Sequence, residues 1–145
     1  MPEHEIRCEP WSLALAEELE DRIYEFNMAA TGIRDGVGLA LTVRDELGNT
    51  IAGAVGHTWG GTCELKTVWV EQALRRRGIG RALLLRAIAE AEARGCTQLL
   101  LATHSFQAPR FYAKLGFREL FRLTDYPRGH AEIWLLRDLS PRAPV

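Results

Sequence analysis

Glycine and arginine are concentrated in one short segment of the chain, Leu74-Arg75-Arg76-Arg77-Gly78-Ile79-Gly80-Arg81. Glycine has no side chain to hold a ligand away from the backbone, and the first amides of a helix have no partner within that helix. Such amides, at the positive end of the helix dipole, bind phosphate groups, and guanidinium groups pair with phosphate oxygens. The segment therefore predicts a phosphate- or pyrophosphate-binding turn between a strand and a helix.

Two widespread nucleotide-binding motifs do not match this turn. The Walker phosphate loop has a Lys after its last glycine, whereas Arg81 follows Gly80, and Leu83 stands where the dinucleotide fingerprint has its third glycine. A Gly-x-Gly turn with solvated arginines also occurs as a plain connection between a strand and a helix. The turn by itself therefore leaves a phosphate site and a plain connection equally open.

A second motif, Phe111-Tyr112-x-x-x-Gly116-Phe117, follows later in the chain. Together with Arg75-x-x-Gly78-x-Gly80 after a strand, it resembles the GNAT superfamily of acyl-CoA-dependent N-acyltransferases. The resemblance covers nearly the whole chain and implies an N-acetyltransferase with acetyl-CoA as donor. Three further stretches are similar to small single-domain bacterial members of the family: Trp59-Gly60-Gly61, Ser105-Phe106-Gln107-Ala108-Pro109 and Asp125-Tyr126-Pro127-x-Gly129-His130.

The resemblance implies where acetyl-CoA binds. The pantetheine arm would pair with the backbone of the strand before the glycine turn, as an added strand does. The pyrophosphate would lie on the amides and arginines of the turn. Taken alone, the side chains of that strand are typical of a core. The residues that the resemblance assigns to acetyl-CoA are Val68, Trp69, Val70, Arg75, Arg76, Arg77, Gly78, Ile79, Gly80 and Arg81.

Tyr112 corresponds to the tyrosine that often protonates the departing CoA thiolate in this family. A phenol with an ordinary pKa of about 10 can donate a proton to a thiolate whose pKa is about 8.5 or higher. Without the resemblance, Tyr112 is typical of a core aromatic residue whose hydroxyl lies at the edge of the core. We expect Tyr112 to act as the general acid.

The attacking amine must be neutral, so a base or a water chain leading to one is required. Many relatives carry an acidic residue on the strand before Ser105, where this chain has Leu99-Leu100-Leu101-Ala102, and Ser105 itself replaces a frequent Asn. The candidate substitutes are Glu64 and His104, and also His57 and His130. Each of these histidines is equally typical of an ordinary surface histidine, so the sequence favours no single base.

The amine would attack the thioester directly, with the Val70 N–H region stabilising the oxyanion. No metal and no covalent enzyme intermediate are implied. The acceptor pocket would be formed by the early loop, the hairpin and the last turn. By position only, its candidate residues are Asp35, Trp59, Tyr126 and His130.

The hydrophobic pattern predicts the elements that position these residues. The unbroken apolar run Leu99-Leu100-Leu101-Ala102 predicts a strand buried on both faces and parallel to a neighbour. We expect an α/β fold with a central mixed sheet flanked by helices, GNAT-like by resemblance. The predicted elements are helix 11–26, loop 27–38, a hairpin of strands 39–43 and 50–59, strand 63–71, helix 80–94, strand 97–103, helix 107–115, and strands 117–123 and 130–136.

Composition limits the class of protein. With 145 residues, 47% of them hydrophobic, the chain is long enough for one domain, expected over residues 1–139, with a flexible tail at 140–145. Three widely spaced cysteines exclude a disulfide framework, and without a Cys-x-x-Cys pair no metal is expected. No apolar run could span a membrane and the first ten residues lack a secretory signal, so a cytoplasmic location without a membrane partner is expected.

Two other functions stay open from the sequence. The missing strand carboxylate is compatible with a sensor that binds acyl-CoA, or a partner-binding module, without turnover, although Tyr112 is retained. The run Arg75-Arg76-Arg77 could contact nucleic acid, but the net charge of −1 and the absence of interleaved aromatics argue against a nucleic-acid partner. The expected partner is a small-molecule or peptide amine, and a homodimer is left open.

Overall fold

The computed structural model describes residues 4–141. The chain forms two compact units that divide between Arg34 and Asp35, and each is described by itself. Of the helices described between residues 4 and 141, none is long and apolar enough to cross a lipid bilayer.

The first unit contains one long helix, α1 (Leu13–Thr31). The Ser12 hydroxyl accepts a hydrogen bond from the Leu15 N–H at 3.1 Å, which caps the start of the helix. The predicted end at Phe26 is wrong, because the Met and Ala residues that follow favour a helix and the left-handed Gly32 is the actual stop.

The second unit is built on a six-stranded mixed sheet, as predicted. The strand order is β1-β2-β3-β4-β6-β5, and the β3–β4 pair is parallel while every other pair is antiparallel. A short 3-10 turn, Gln72–Leu74, joins β3 to the next helix. The elements are β1 (Val37–Arg44), β2 (Thr50–Trp59), β3 (Thr62–Val70), α2 (Ile79–Ala93), β4 (Gln98–His104), α3 (Pro109–Lys114), β5 (Arg118–Thr124) and β6 (Ala131–Asp138).

The core of this unit lies between α2 and the sheet. Leu84 and Ala87 of α2 and Leu99 and Leu101 of β4 are at most 1% exposed, which places these apolar groups out of water and stabilises the fold. The prediction that β4 is buried on both faces holds only in part, because Leu100 is half-buried and Ala102 is exposed.

Beyond the last strand the chain is still bonded to this unit. Leu139 is buried and donates its N–H to the Thr97 carbonyl at 2.8 Å, and the Ser140 N–H donates to the Glu92 carboxylate at 3.1 Å. The predicted tail from residue 140 therefore begins with a bonded residue, and its last part, residues 142–145, lies outside the described residues.

The parallel strands β3 and β4 are hydrogen-bonded to each other along only the first part of their length. They pair only where Thr62–Leu65 lies beside Gln98–Leu101. Beyond these residues β3 continues beside β2 and β4 continues beside β6, so a gap opens between β3 and β4 at their carboxyl ends. A bulge in the β2–β3 ladder, opposite Val55 and Gly56, bends β3 where the gap begins.

Candidate active site

The gap between β3 and β4 exposes backbone groups of β3. Glu71 donates its N–H to the Ile51 carbonyl of β2 at 2.9 Å, so the backbone of Glu71 faces β2. Backbone groups of successive strand residues point to opposite sides, so those of Val70 and Val68 face the gap. The same alternation directs the backbone of Trp69 toward β2. Of the three residues expected to pair with pantetheine, two therefore present their amides and carbonyls to the gap.

The glycine turn lies beside the open end of this gap. Gly78 precedes α2 with a φ of 81° and supplies no side-chain cap. Because this left-handed backbone is strained for other residues, the sequence needs glycine here. The first hydrogen bond of α2 runs from the Ala82 N–H to the Gly78 carbonyl at 3.0 Å, so the preceding helical amides are the ones without an intrahelical partner. These are the amides that the sequence predicts for the pyrophosphate.

Gly80 lies against the end of β3 and the helix that carries Tyr112. A Cβ atom added there would meet Phe111 Cζ at 3.4 Å and Val70 Cγ2 at 3.6 Å, which are ordinary van der Waals distances. The surrounding space therefore does not by itself require glycine, and the assignment of Gly80 to acetyl-CoA stays a prediction. This contact joins the glycine turn, the end of β3 and the helix of Tyr112 in one assembly.

The four arginines of the turn are exposed and differ in their hydrogen-bond and ion-pair partners. Arg75 donates from Nε to the Val70 carbonyl at 3.0 Å. Within residues 4–141, the guanidinium groups of Arg76, Arg77 and Arg81 have no carboxylate partner. Three unpaired cations therefore surround the amino end of α2, where an anion is also favoured by the helix dipole.

Tyr112 lies on α3 with its ring in the core. The ring is 7% exposed and meets Phe111 and Phe117 edge-on, with centroids 5.1 and 5.6 Å away. Burial raises the pKa of the Tyr112 hydroxyl to about 12, because the phenolate would lose its hydration. The phenol therefore keeps its proton at neutral pH, and it is a weaker acid than its ordinary pKa implied. The ring of Tyr112 is a core residue, and the proton-donor role of its hydroxyl stays a prediction.

Two of the four candidate bases lie next to each other across β2 and β3. His57 and Glu64 are registered partners, and His57 Nε2 lies 3.8 Å from a Glu64 carboxylate oxygen. The other Glu64 oxygen lies 3.2 Å from Lys66 Nζ. The Glu64 side chain is 24% exposed, so this carboxylate is partly shielded and held between two cationic or proton-carrying groups.

The other two candidate bases belong to a group of rings at the end of β4, which we call the aromatic cluster: His104, Phe106, Tyr126 and His130. The His104 ring stacks against Phe106 and Tyr126, with centroids 5.3 and 5.5 Å away. His130 meets Phe106 edge-on at 5.0 Å. The loops are held together because the Ala131 N–H donates to Ser105 Oγ at 3.0 Å. Sequence reasoning named three of these residues singly but missed Phe106, although its place two residues after His104 was the available signal.

The two nitrogens of His104 differ in surroundings. Nδ1 is buried and has no hydrogen-bond partner within the described part of the chain. A proton on Nδ1 would be a buried donor without an acceptor, which is costly, so a neutral His104 carries its proton on Nε2. In that state the accessible nitrogen is a donor, which disfavours His104 as the base.

The four candidate acceptor residues do not come together in one pocket. Asp35 accepts a hydrogen bond from the Gly60 N–H at 2.9 Å, and with Trp59 it lines a small cavity beside the β2–β3 turn. Tyr126 and His130 lie instead at the carboxyl end of β4. The β2–β3 turn precedes β3, whereas the gap opens where β3 ends, so Asp35 and Trp59 are distant from it along the strand.

Within residues 4–141 no three His, Cys, Asp or Glu side chains form a group that could hold a metal ion. Cys63 and Cys96 are buried, and burial raises the pKa of the Cys63 thiol to about 12. The four candidate bases therefore do not belong to a metal-like group within the described residues.

Comparison with known proteins gives consistent matches. The family model described as the acetyltransferase (GNAT) family matches residues 3–117. An acetyltransferase of Agrobacterium fabrum is 32% identical over 81% of this chain and 85% of its own length. Blasticidin-S acetyltransferase of Streptomyces morookaense is 36% identical over 65% of this chain and 70% of its own length. A crystal structure of an acetyltransferase from Bacillus cereus superposes with a TM-score of 0.76 at 28% identity, covering 92% of this chain and 98% of that one.

Proposed function

The chain belongs to the acetyltransferase (GNAT) family and is an acyltransferase, and we propose that it transfers the acetyl group of acetyl-CoA to a primary amine. The observation that carries this proposal is the separation of β3 from β4 beyond Leu65 and Leu101. Two parallel strands in the middle of a sheet normally stay paired, because unpaired backbone groups are costly when buried. A gap at this place offers backbone partners for an extended ligand.

The residues around the gap fit acetyl-CoA. Val68 and Val70 present backbone groups that an amide-containing arm can pair with as an added strand. The amino end of α2 and the unpaired Arg76, Arg77 and Arg81 provide amides and positive charge for phosphate groups. Acetyl-CoA supplies the activated acetyl thioester, and this chain supplies the hydrogen-bond donors and the proton-transfer groups.

The Val70 N–H faces the gap and would donate to the thioester oxygen as negative charge develops there. The Tyr112 hydroxyl keeps its proton at neutral pH, which supports its role as hydrogen-bond and proton donor to the departing sulfur. Direct attack by the amine is the simplest route, because Cys63 and Cys96 are buried and burial raises the pKa of both thiols, that of Cys63 to about 12, so neither presents a thiolate nucleophile.

The acceptor is proposed to be a small-molecule amine, with a peptide amine as the second choice. Support comes from the relative named blasticidin-S acetyltransferase, which matches 65% of this chain. Glu64 with His57 would take the amine proton, directly or through water, because Glu64 lies on β3, which borders the gap, one residue before its pairing with β4 ends.

The test is release of free thiol from acetyl-CoA, followed with a panel that contains blasticidin S, simple alkylamines, diamines and peptides with free amino groups. Acetyl transfer is supported by saturable, amine-dependent thiol release together with a mass increase of the acceptor. Saturable CoA binding without turnover across the panel would instead support the acyl-CoA sensor.

A further inference from the structure

The aromatic cluster at the end of β4 presents ring surface to solvent. Phe106 is 57% exposed and Tyr126 is 51% exposed, although both rings stack on His104. Exposed apolar residues that stand together, rather than singly, mark a binding surface. This cluster lies at the carboxyl end of β4, the end at which the gap between β3 and β4 opens.

A carboxylate lies on the strand next to β4, in register with His104. Glu132 on β6 is the registered partner of His104 on β4, and directly opposite residues of an antiparallel pair share one face of the sheet. The Glu132 side chain is half-buried, and no Lys, Arg or His of the described residues 4–141 forms an ion pair with it. Arg128, the arginine closest to Glu132 in sequence, does not form an ion pair with it either.

We propose that Glu132 and the aromatic cluster form a subsite for a cationic, planar group of the acceptor, such as a guanidinium. This inference rests on the proposed function and narrows its acceptor class to amines that carry a second cation. A half-buried carboxylate without a partner favours a cation, and a planar guanidinium can pair with it through two N–H groups. Exposed aromatic faces add a cation–π attraction and stacking surface for the same group.

The positions of the proposed subsite and of the Val70 N–H also determine where the cation and the reacting amine of the acceptor must lie. The cation binds at the end of β4, and the reacting amine must extend toward the Val70 N–H at the end of β3. The two strand ends border the same gap, so a short flexible spacer between the cation and the amine is required. A monoamine without the cation can react but has no group to occupy the subsite.

The proposal is tested with a matched pair of probes, agmatine and its isostere N-(4-aminobutyl)urea. Both probes keep the primary amine, and an uncharged urea replaces the guanidinium in the second. Each is titrated calorimetrically into the protein saturated with CoA, at pH 8, where ordinary imidazoles are neutral. We expect agmatine to bind at least about ten-fold more tightly than the urea, as removal of a charge-assisted hydrogen bond implies. Glu132→Gln should reduce that ratio to below about three-fold while leaving CoA affinity unchanged.

The controls separate the subsite from general charge and from folding. Glu46→Gln removes a carboxylate from the β1–β2 turn and should leave the ratio unchanged. Tyr126→Leu keeps the carboxylate and removes a ring, so agmatine should bind roughly two- to five-fold more weakly. Absence of saturable agmatine binding, an equal affinity for both probes, or an unchanged ratio in a folded Glu132→Gln protein overturns the proposal.

This binding measurement does not depend on turnover, so it is separable from the proposed function. Thiol release with acetyl-CoA is measured in parallel on the same proteins. Agmatine binding that depends on Glu132, without thiol release from any amine, would reject acetyl transfer and keep the subsite. Thiol release with equal kcat/KM for agmatine and its isostere would reject the subsite and keep acetyl transfer.

Discussion

The Nε atom of Arg75 donates a hydrogen bond to the carbonyl oxygen of Val70 at 3.0 Å, and this bond ties the glycine turn to the end of the strand that borders the gap. The Val70 carbonyl faces the gap and would otherwise be left to solvent. Through its Nε, Arg75, the first residue of the glycine motif, is therefore bonded to the protein backbone. We propose that it positions the turn, and its assignment as a phosphate ligand stays a prediction because its terminal N–H groups have no partner in this bond.

Arg75→Gln should lower the affinity for CoA and for dephospho-CoA by a similar factor. The reason is that the variant loosens the turn and the Val70 backbone without removing a charge that contacts one particular phosphate. We expect a factor of roughly three to ten, the effect of losing one hydrogen bond to a charged donor at an exposed site. Calorimetric titration of both ligands measures it, and a loss confined to CoA would instead make Arg75 a ligand of the extra phosphate.

Arg77→Gln and Arg81→Gln should each weaken CoA binding through lost charge at the amino end of α2. We expect roughly five-fold for each substitution at low salt, and less as the salt concentration rises and screens the interaction. Arg86→Gln is the matched control, because Arg86 is an exposed arginine farther along the same helix. Equal effects of all three substitutions would indicate a general charge effect and would reject the proposed phosphate site.

Tyr112→Phe should lower kcat and kcat/KM together, with little change in CoA affinity, because the ring and its packing on Phe111 and Phe117 are retained. The expected loss is about 10- to 100-fold, at the lower end of general acid catalysis, since burial raises the pKa of the hydroxyl to about 12 and weakens it as an acid. Single-turnover thiol release measures the chemical step. An unchanged rate in that step would make Tyr112 a packing residue only.

The free energy of unfolding should fall as the pH rises above about 9. Burial raises the pKa of Cys63 from 9.0 to about 12 and that of Tyr112 from 10.0 to about 12. Between those values the unfolded chain loses protons that the folded chain keeps, so the unfolded state becomes favoured. Well below pH 9, where both groups are protonated in the folded and the unfolded chain, they contribute little pH dependence. Each group can contribute a slope of at most about 1.4 kcal/mol per pH unit.

This pH dependence is measured by urea unfolding under reducing conditions between pH 7.5 and 11. The variants Cys63→Ala and Tyr112→Phe should each flatten part of the alkaline decline relative to their own stability at pH 7.5. Cys8 is exposed, so Cys8→Ala is the control and should leave the decline unchanged. A decline of the same steepness in all four proteins would contradict the assignment.

Local sequence pattern was sufficient to predict most of the fold. The strand Thr50–Trp59 has the predicted bounds, and the helix after the glycine turn begins and ends within one residue of its prediction. The loop predicted from Asn27 was wrong because helix-favouring residues continue to Thr31. The site was harder to predict, since side chains far apart in sequence meet there only through register.

Glu132 illustrates why the sequence was insufficient. It lies in an alternating strand, where a carboxylate is normally solvated, and although His130 two residues earlier is a candidate, nothing in the pattern singles out Glu132. Its significance comes from the registered partner His104 and from Phe106 and Tyr126, which stack on that histidine. Likewise, the position of Gly80 beside Phe111 and Val70 arises from tertiary packing and is not visible in the glycine motif.

The last prediction concerns the base. The sequence offers four candidate bases and favours none of them, so we predict that no single side chain is indispensable. The structure divides the four candidates into two groups, His57 with Glu64 and His104 with His130. Because the first pair shares one environment, His57→Gln and Glu64→Gln should each cost roughly ten-fold or less in kcat/KM, and the double variant should cost less than the product of the two.

His104→Gln and His130→Gln should leave the basic limb of the pH profile in place, because the proposed proton acceptors are His57 and Glu64. For His104 there is a second reason, since the accessible nitrogen of its neutral ring is a donor. The measurement is kcat/KM between pH 6 and 10 with the best acceptor of the panel. Lys66→Gln is the control for charge, because Lys66 also contacts Glu64 and is not one of the candidate bases. One variant that loses activity by orders of magnitude together with its basic limb would identify a dedicated base and overturn the shared proton path.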